Sequence, residues 1–198
     1  RARFLRTALR PLPQDAGAFA VMAGFGETYV SAFALFLRAS TAQIGWLASI
    51  PPLLASIAQL LSAWLGRSPG RRKKIIIAGS ALQAIAWIPL LTLPLIFSEW
   101  ALPLLIVCAL ICQAGEHLAE PQWSSLMGDL VPTRRRGRFF GMRTRLMTAL
   151  TFLSLLTAGI ILDQFSKRDS TVIGFVLLFG IASLARLISV YHLSRMTD

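Results

Sequence analysis

The chain has 198 residues, of which 55% are hydrophobic and only 15% are charged, and its formal net charge is +11. A soluble domain carries about 25% charged residues, so this composition excludes an ordinary water-exposed surface. The basic excess would suggest nucleic acid in a soluble protein, but lysines and arginines lie in short clusters between long apolar runs. We therefore predict an integral membrane protein with no nucleic-acid partner.

Six apolar segments are each long enough to cross a bilayer as a helix, which takes about 20 residues. They lie near 17–37, 42–65, 75–97, 101–127, 140–163 and 172–194, and we name them spans one to six. Strands of a membrane barrel would alternate in polarity and be half as long. The sequence predicts an all-α membrane domain over 17–198. Before it, segment 1–16 is either an interfacial helix or a solvated end.

Basic residues mark one side of the predicted bundle. Sixteen of the 20 lysines and arginines lie before span one, between spans two and three, around the connection of spans four and five, or after span six. Arg38, Lys167 and Arg168 lie on the other side, which predicts cytoplasmic termini by the positive-inside rule. Arg186 lies within span six. Its simplest interpretation is a side chain that snorkels to the membrane surface, with pairing to an acid as the alternative.

Span four contains polar residues in the stretch CQAGEHLAEPQW (112–123). At 100° per residue, one arc of this helix carries Gln113, Glu116, His117, Glu120 and Ser124. An ionised carboxylate that faced lipid would cost several kcal/mol, so the acids must be partnered or protonated. We predict that the arc faces protein or a water-filled cavity. We also expect Pro121 to kink the helix beside it.

Span one carries Glu27 near its middle, among small residues that allow another helix to approach closely. Glu27 and Glu116 each follow a glycine, which is a weak echo between spans one and four. We predict binding of substrate and protons by Glu27, Gln113, Glu116, His117 and Glu120. The alternative is a static polar cluster that fixes helix packing, and for His117 alone that interpretation is preferred.

Two cysteines, Cys108 and Cys112, lie four residues apart in span four and are interpreted as small buried apolar side chains. His117 with Glu116 and Glu120 has a spacing that metal ligands can use, but no second histidine motif supports a metal site. We expect no cofactor and no enzymatic activity. The alternatives are an intramembrane metal-dependent enzyme and a membrane scaffold that transports nothing.

Two basic connections carry more specific patterns, AWLGRSPGRRKK (63–74) and GDLVPTRRRGRFFGMR (128–143). With six spans and cytoplasmic termini, they resemble the amino-terminal half of a major facilitator superfamily transporter. Gly70, Arg71 and Arg72 match the second half of that family's loop signature. Ala63 and Arg67 stand where the signature has its first glycine and its aspartate. An ordinary positive-inside cluster would explain the arginines but not the glycines.

The resemblance implies a fold of two inverted three-helix repeats, with spans one and four lining a central cavity. It implies a secondary transporter that moves a small molecule or ion by alternating access in a bacterial inner membrane. The carboxylates at mid-membrane depth predict protons as the coupling ion. It also implies a second six-helix half, in the same chain or in another copy. The chain opens on Arg rather than Met, so we expect a fragment.

The resemblance assigns gating to the two basic connections. Because Arg67 replaces the family's aspartate, a conformational latch would have to be rebuilt, for which Asp129 with a nearby arginine is the candidate. Gly70, Gly137 and Gly141 are expected to supply tight turns or close helix contacts beside the charges. The predicted gating residues are Gly70, Arg71, Arg72, Asp129, Arg136, Gly137 and Arg138.

Overall fold

The computed structural model describes residues 12–67, 70–95 and 100–195. Within these ranges, six helices are long and apolar enough to cross a membrane. They are Pro13–Phe36, Thr41–Leu65, Arg72–Thr92, Ala101–Leu130, Thr133–Ser166 and Thr171–Ser194. The same part of the chain contains no strand. The prediction of an all-α protein with six membrane-spanning helices is confirmed.

Span one is an interrupted helix. The α-helices Leu12–Met22 and Thr28–Phe36 flank a π-helical segment, Ala23–Glu27. The backbone N–H of Thr28 donates to the carbonyl of Ala23, five residues earlier, and the Thr28 hydroxyl donates to the same oxygen at 3.1 Å. Such wide turns are rare in proteins overall, but those that occur often lie at functional sites. The segment ends on Glu27, so it sets the direction of a predicted site residue.

The start of span one differs from the predicted boundary at residue 17. Its helix begins at Leu12, and Asp15 and Ala16 are already buried. The rest of the predicted N-terminal segment, 1–11, lies outside the described residues. Asp15 therefore belongs to the helical bundle and is available to pair with other spans.

The predicted connection over 128–143 is mostly helical. Span four extends to Leu130 and span five begins at Thr133, so Val131 and Pro132 alone separate the two helices. The helix of span four also continues through Pro121. Lysine and arginine are good helix formers, so a helix can extend past the apolar segment that the membrane requires.

The expected roles of the three glycines hold for one of them. Gly70 has φ +74°, a left-handed conformation that glycine adopts without strain, so it does form a tight turn. Gly137 and Gly141 lie within the helix of span five, and a Cβ on either would meet no described atom within 4 Å. The expectation of tight turns at these two positions is wrong, and the described residues form no close helix contact there.

The main apolar core lies among spans one, three, four and six. The ring centroid of Phe33 in span one lies 5.0 Å from that of Phe175 and 5.4 Å from that of Phe179, both in span six. Trp87 from span three and Leu105 from span four are fully buried in the same core. This packing holds spans one and four beside each other.

Spans three and four meet backbone to backbone at Gly79 and Gly115. A Cβ on Gly79 would lie 2.5 Å from the carbonyl oxygen of Gly115, and a Cβ on Gly115 would lie 2.6 Å from that of Gly79. No larger residue fits these positions unless the helices separate. Since Gly115 directly precedes Glu116, this contact fixes the position of Glu116 in the bundle.

Candidate functional site

Two of the cavities among the described residues lie towards opposite ends of the bundle. We call the end where span one begins and span six finishes the basic end, and the other the opposite end. The opposite-end cavity has a volume of about 310 Å³. Its polar lining includes Glu27, Ser31, Gln113 and Glu116, and its apolar lining includes Trp87. The structure thus brings Glu27, Gln113 and Glu116 together around one space.

The basic-end cavity is smaller, at about 40 Å³. Spans one, three, four, five and six all contribute to its wall. Its polar lining consists of Asp15, Ser80, Glu116, Glu120, Trp123, Arg143 and Arg186. Of the described residues, Glu116 alone lines both cavities. This carboxylate therefore marks the boundary between the two spaces.

Glu27 has a partner that the sequence analysis missed. Gln83 of span three is fully buried, and its side-chain Nε2 donates to Glu27 Oε1 at 2.9 Å. A polar residue within the apolar run of span three was visible in the sequence, but nothing there connected it to span one. The pairing depends on how the two helices pack.

Arg186 does not snorkel. It is only 3% exposed, and its Nη1 donates to Ser189 Oγ at 2.9 Å. Ser189 Oγ in turn donates to Asp15 Oδ1 at 2.7 Å, and Asp15 is equally buried. The interpretation that Arg186 snorkels to the membrane surface is therefore wrong. The alternative, pairing to an acid, holds because the Ser189 hydroxyl bridges Arg186 to Asp15. Nothing in the sequence indicated that Asp15 lies close to Arg186.

Two of the predicted site residues lie away from the opposite-end cavity. Glu120 is exposed and lines the basic-end cavity, where its Oε1 accepts a hydrogen bond from Ser124 at 3.1 Å. His117 is partly buried and lines neither of the two cavities. The structure thus separates the five residues of the predicted arc into different surroundings.

An ion pair joins the two basic connections. Arg72 Nη1 lies 2.5 Å from Asp129 Oδ2, so the first turn of span three is tied to the last turn of span four. Both side chains are well exposed. Nearby, Arg136 Nε donates to the carbonyl of Val131 at 3.0 Å. Asp129 therefore does pair with an arginine, although its predicted role as a latch stays a prediction.

The fold and the cavities define the class of protein. It is an integral membrane protein whose packed helices enclose acidic residues. The family model of the Major Facilitator Superfamily matches residues 16–195. The chain belongs to this family of membrane transporters, as the resemblance implied. No curated protein and no solved structure matches the chain. Within the described ranges, no three His, Cys, Asp or Glu side chains are grouped to hold a metal ion.

Proposed function

We propose that the protein is a secondary active transporter that moves a small solute by alternating access, with proton coupling through Glu116 and Glu27. The position of Glu116 carries this proposal, because it lines a cavity on each side. A titratable group at such a boundary can meet each side of the membrane in turn. The unequal volumes, about 310 Å³ against about 40 Å³, fit one conformation of an alternating-access cycle.

The surroundings of the two acids support proton binding. Glu27 accepts a hydrogen bond from a neutral amide, that of Gln83. Neither Glu27 nor Glu116 forms an ion pair with any described residue. An ionised carboxylate without a direct ion pair is costly at membrane depth, and uptake of a proton removes that charge. The same groups can therefore bind and release protons as the cavities open.

The charge distribution supports an orientation and a cellular location. The basic end carries the described arginine clusters, which supports our proposal that this end, with both termini, lies in the cytoplasm of a bacterium. Apolar side chains on spans two and five are exposed, including Leu53, Leu60, Phe152 and Ile160. Lipid and a second six-helix half, in the same chain or another copy, would cover them.

Cysteine accessibility tests the proposed cycle. In a background with Cys108→Ala and Cys112→Ala, we introduce Ser31→Cys for the opposite-end cavity or Ser80→Cys for the basic-end cavity. Ser31 is exposed and Ser80 is 1% exposed, so a membrane-impermeant maleimide should modify position 31 faster. A pH gradient that favours the other conformation should slow labelling at 31 and speed labelling at 80. Rates that change in the same direction at both positions would contradict alternating access.

We further propose that Arg72 and Asp129 latch the basic end. An exposed ion pair contributes at most about 1 kcal/mol, which corresponds to a factor of about five in an equilibrium. Asp129→Asn should therefore raise the labelling rate of Ser80→Cys by up to about fivefold. The matched control is Asp163→Asn, which removes the exposed 2.6 Å pair with Lys167 at the end of span five. Equal rates in the two variants would argue against the latch.

A further inference from the structure

Unpaired hydrogen-bond donors converge on the basic-end cavity. Four buried atoms in its wall have no hydrogen-bond partner among the described residues: Ser80 Oγ, Trp123 Nε1, Arg143 Nε and Arg186 Nε. The three nitrogens can only donate, and the hydroxyl can donate as well. A buried donor without an acceptor costs about 1–3 kcal/mol. Four such donors around one space indicate that it accommodates a ligand rich in acceptor oxygens.

Two of these donors belong to guanidinium groups that aromatic rings hold in place. Arg143 lies over the ring of Trp123, with 3.8 Å between its central carbon and the ring centroid. Arg186 lies over Phe19 at 5.1 Å and donates to Ser189. Stacking restricts the guanidinium plane, so the direction of its N–H groups is set before a ligand binds. Arginine in a fixed plane is suited to carboxylate and phosphate oxygens.

The charge of the wall selects between these oxyanions. Its three carboxylates, Asp15, Glu116 and Glu120, outnumber its two guanidiniums, so each further negative charge is unfavourable. A carboxylate adds one negative charge, whereas a phosphate adds more than one at pH 7. We propose that the basic-end cavity binds the carboxylate group of a small organic acid.

The acids in the same wall make this binding depend on pH. The charged or titratable groups that face Glu116 are Asp15 and Glu27 of span one, Cys112, His117 and Glu120 of span four, Arg143 of span five and Arg186 of span six. Asp15 and Glu120 already accept hydrogen bonds from serines. Two guanidiniums face three carboxylates in this cavity, so its ionised wall carries one net negative charge, and an incoming anion binds more readily when Glu116 carries a proton. The organic acid therefore binds together with a proton.

This inference deepens the proposed function, since it names the class of the transported solute. Its identification as the cargo rests on that function, whereas the binding itself does not. Binding is measured on the purified protein in lipid nanodiscs, by the change in tryptophan fluorescence on addition of formate, acetate or inorganic phosphate. Formate and acetate should give saturable changes, phosphate should give none, and the apparent Kd should rise with pH. Glu116→Gln should retain binding and lose most of the pH dependence.

Substitutions locate the binding. Arg186→Gln removes a charged donor and should weaken formate binding by about tenfold or more, and Arg186→Lys should fall between the two. If Arg186→Gln does not fold, Arg143→Gln in span five provides the same test. The matched control is Arg38→Gln, an exposed arginine outside the cavity, which should leave the Kd unchanged. Nanodiscs with and without anionic lipid should give the same result, because the unpaired donors of the cavity are buried among five spans.

The remaining outcomes would overturn either this inference or the proposed function. A response that is equal for formate, phosphate and chloride, or that both arginine variants leave intact, would overturn the inference and leave a cavity for water only. Competition by anionic lipid would overturn it in favour of a lipid site. If binding fails while the cysteine labelling at positions 31 and 80 stays reciprocal, this inference falls and the proposed function stands. If binding succeeds without reciprocal labelling, the site stands and the proposed function falls.

Discussion

Replacing Glu116 by glutamine should abolish proton-coupled transport and leave the protein folded. Glutamine has nearly the same size but cannot take up or release a proton, and Glu116 is the described residue that lines both cavities. The measurement uses proteoliposomes loaded with a pH-sensitive dye and challenged with a panel of small organic acids and other solutes. The wild-type protein should give a solute-dependent pH change, and Glu116→Gln should reduce it to that of empty liposomes.

The control for this experiment removes a carboxylate elsewhere. Asp169 is exposed in the turn between spans five and six and has φ +52°, a conformation that asparagine tolerates. Asp169→Asn should therefore retain the pH change of the wild-type protein. Thermal unfolding should show both variants folded, since Glu116 takes part in no ion pair with a described residue. Full coupling in Glu116→Gln would rule out its role as a proton carrier.

Gly115→Ala should destabilise the protein more than one added methyl group normally does. The new Cβ would lie 2.6 Å from the carbonyl oxygen of Gly79 and 2.9 Å from the backbone nitrogen of Gln83, so spans three and four must move apart. Overpacking of this kind costs about 1–3 kcal/mol. Thermal unfolding in detergent should show a clear decrease in Tm.

Gly128→Ala is the matched control, because it lies on the same helix. A Cβ at position 128 would meet no described atom within 4 Å, so its Tm should be unchanged or slightly raised. Equal Tm values for the two variants would show that the contact between Gly79 and Gly115 is not required for stability. Gly115→Ala should also reduce transport, because the contact between Gly79 and Gly115 positions Glu116.

The membrane-spanning helices could be predicted from the sequence because a bilayer imposes a simple length and polarity requirement. The ends of the helices are harder to predict from the sequence. Hydropathy detects only the part of a helix that lies in the hydrocarbon core, so it does not distinguish the basic first turns of span five, beginning at Thr133, from a connection. The start of span one at Leu12 was missed for the same reason, since Asp15 interrupts the apolar pattern.

The candidate site was predictable in part, because helical periodicity identifies which residues of one helix share a face. That argument placed Gln113 and Glu116 together, and the structure has both in the opposite-end cavity. Periodicity within one helix says nothing about the helix opposite. The contacts from Gln83 to Glu27, and from Arg186 through Ser189 to Asp15, depend on how distant segments pack.

The π segment Ala23–Glu27 also has a consequence for comparing this chain with its relatives. A turn closed by a bond from residue 28 to residue 23 contains one residue more than an α-helical turn. In alignment terms, it behaves as a single-residue insertion inside a membrane helix. A relative without this turn should align with span one only when a one-residue gap is placed near Phe25. Without that gap, every position from Thr28 to Phe36 would be matched to a residue on the wrong face.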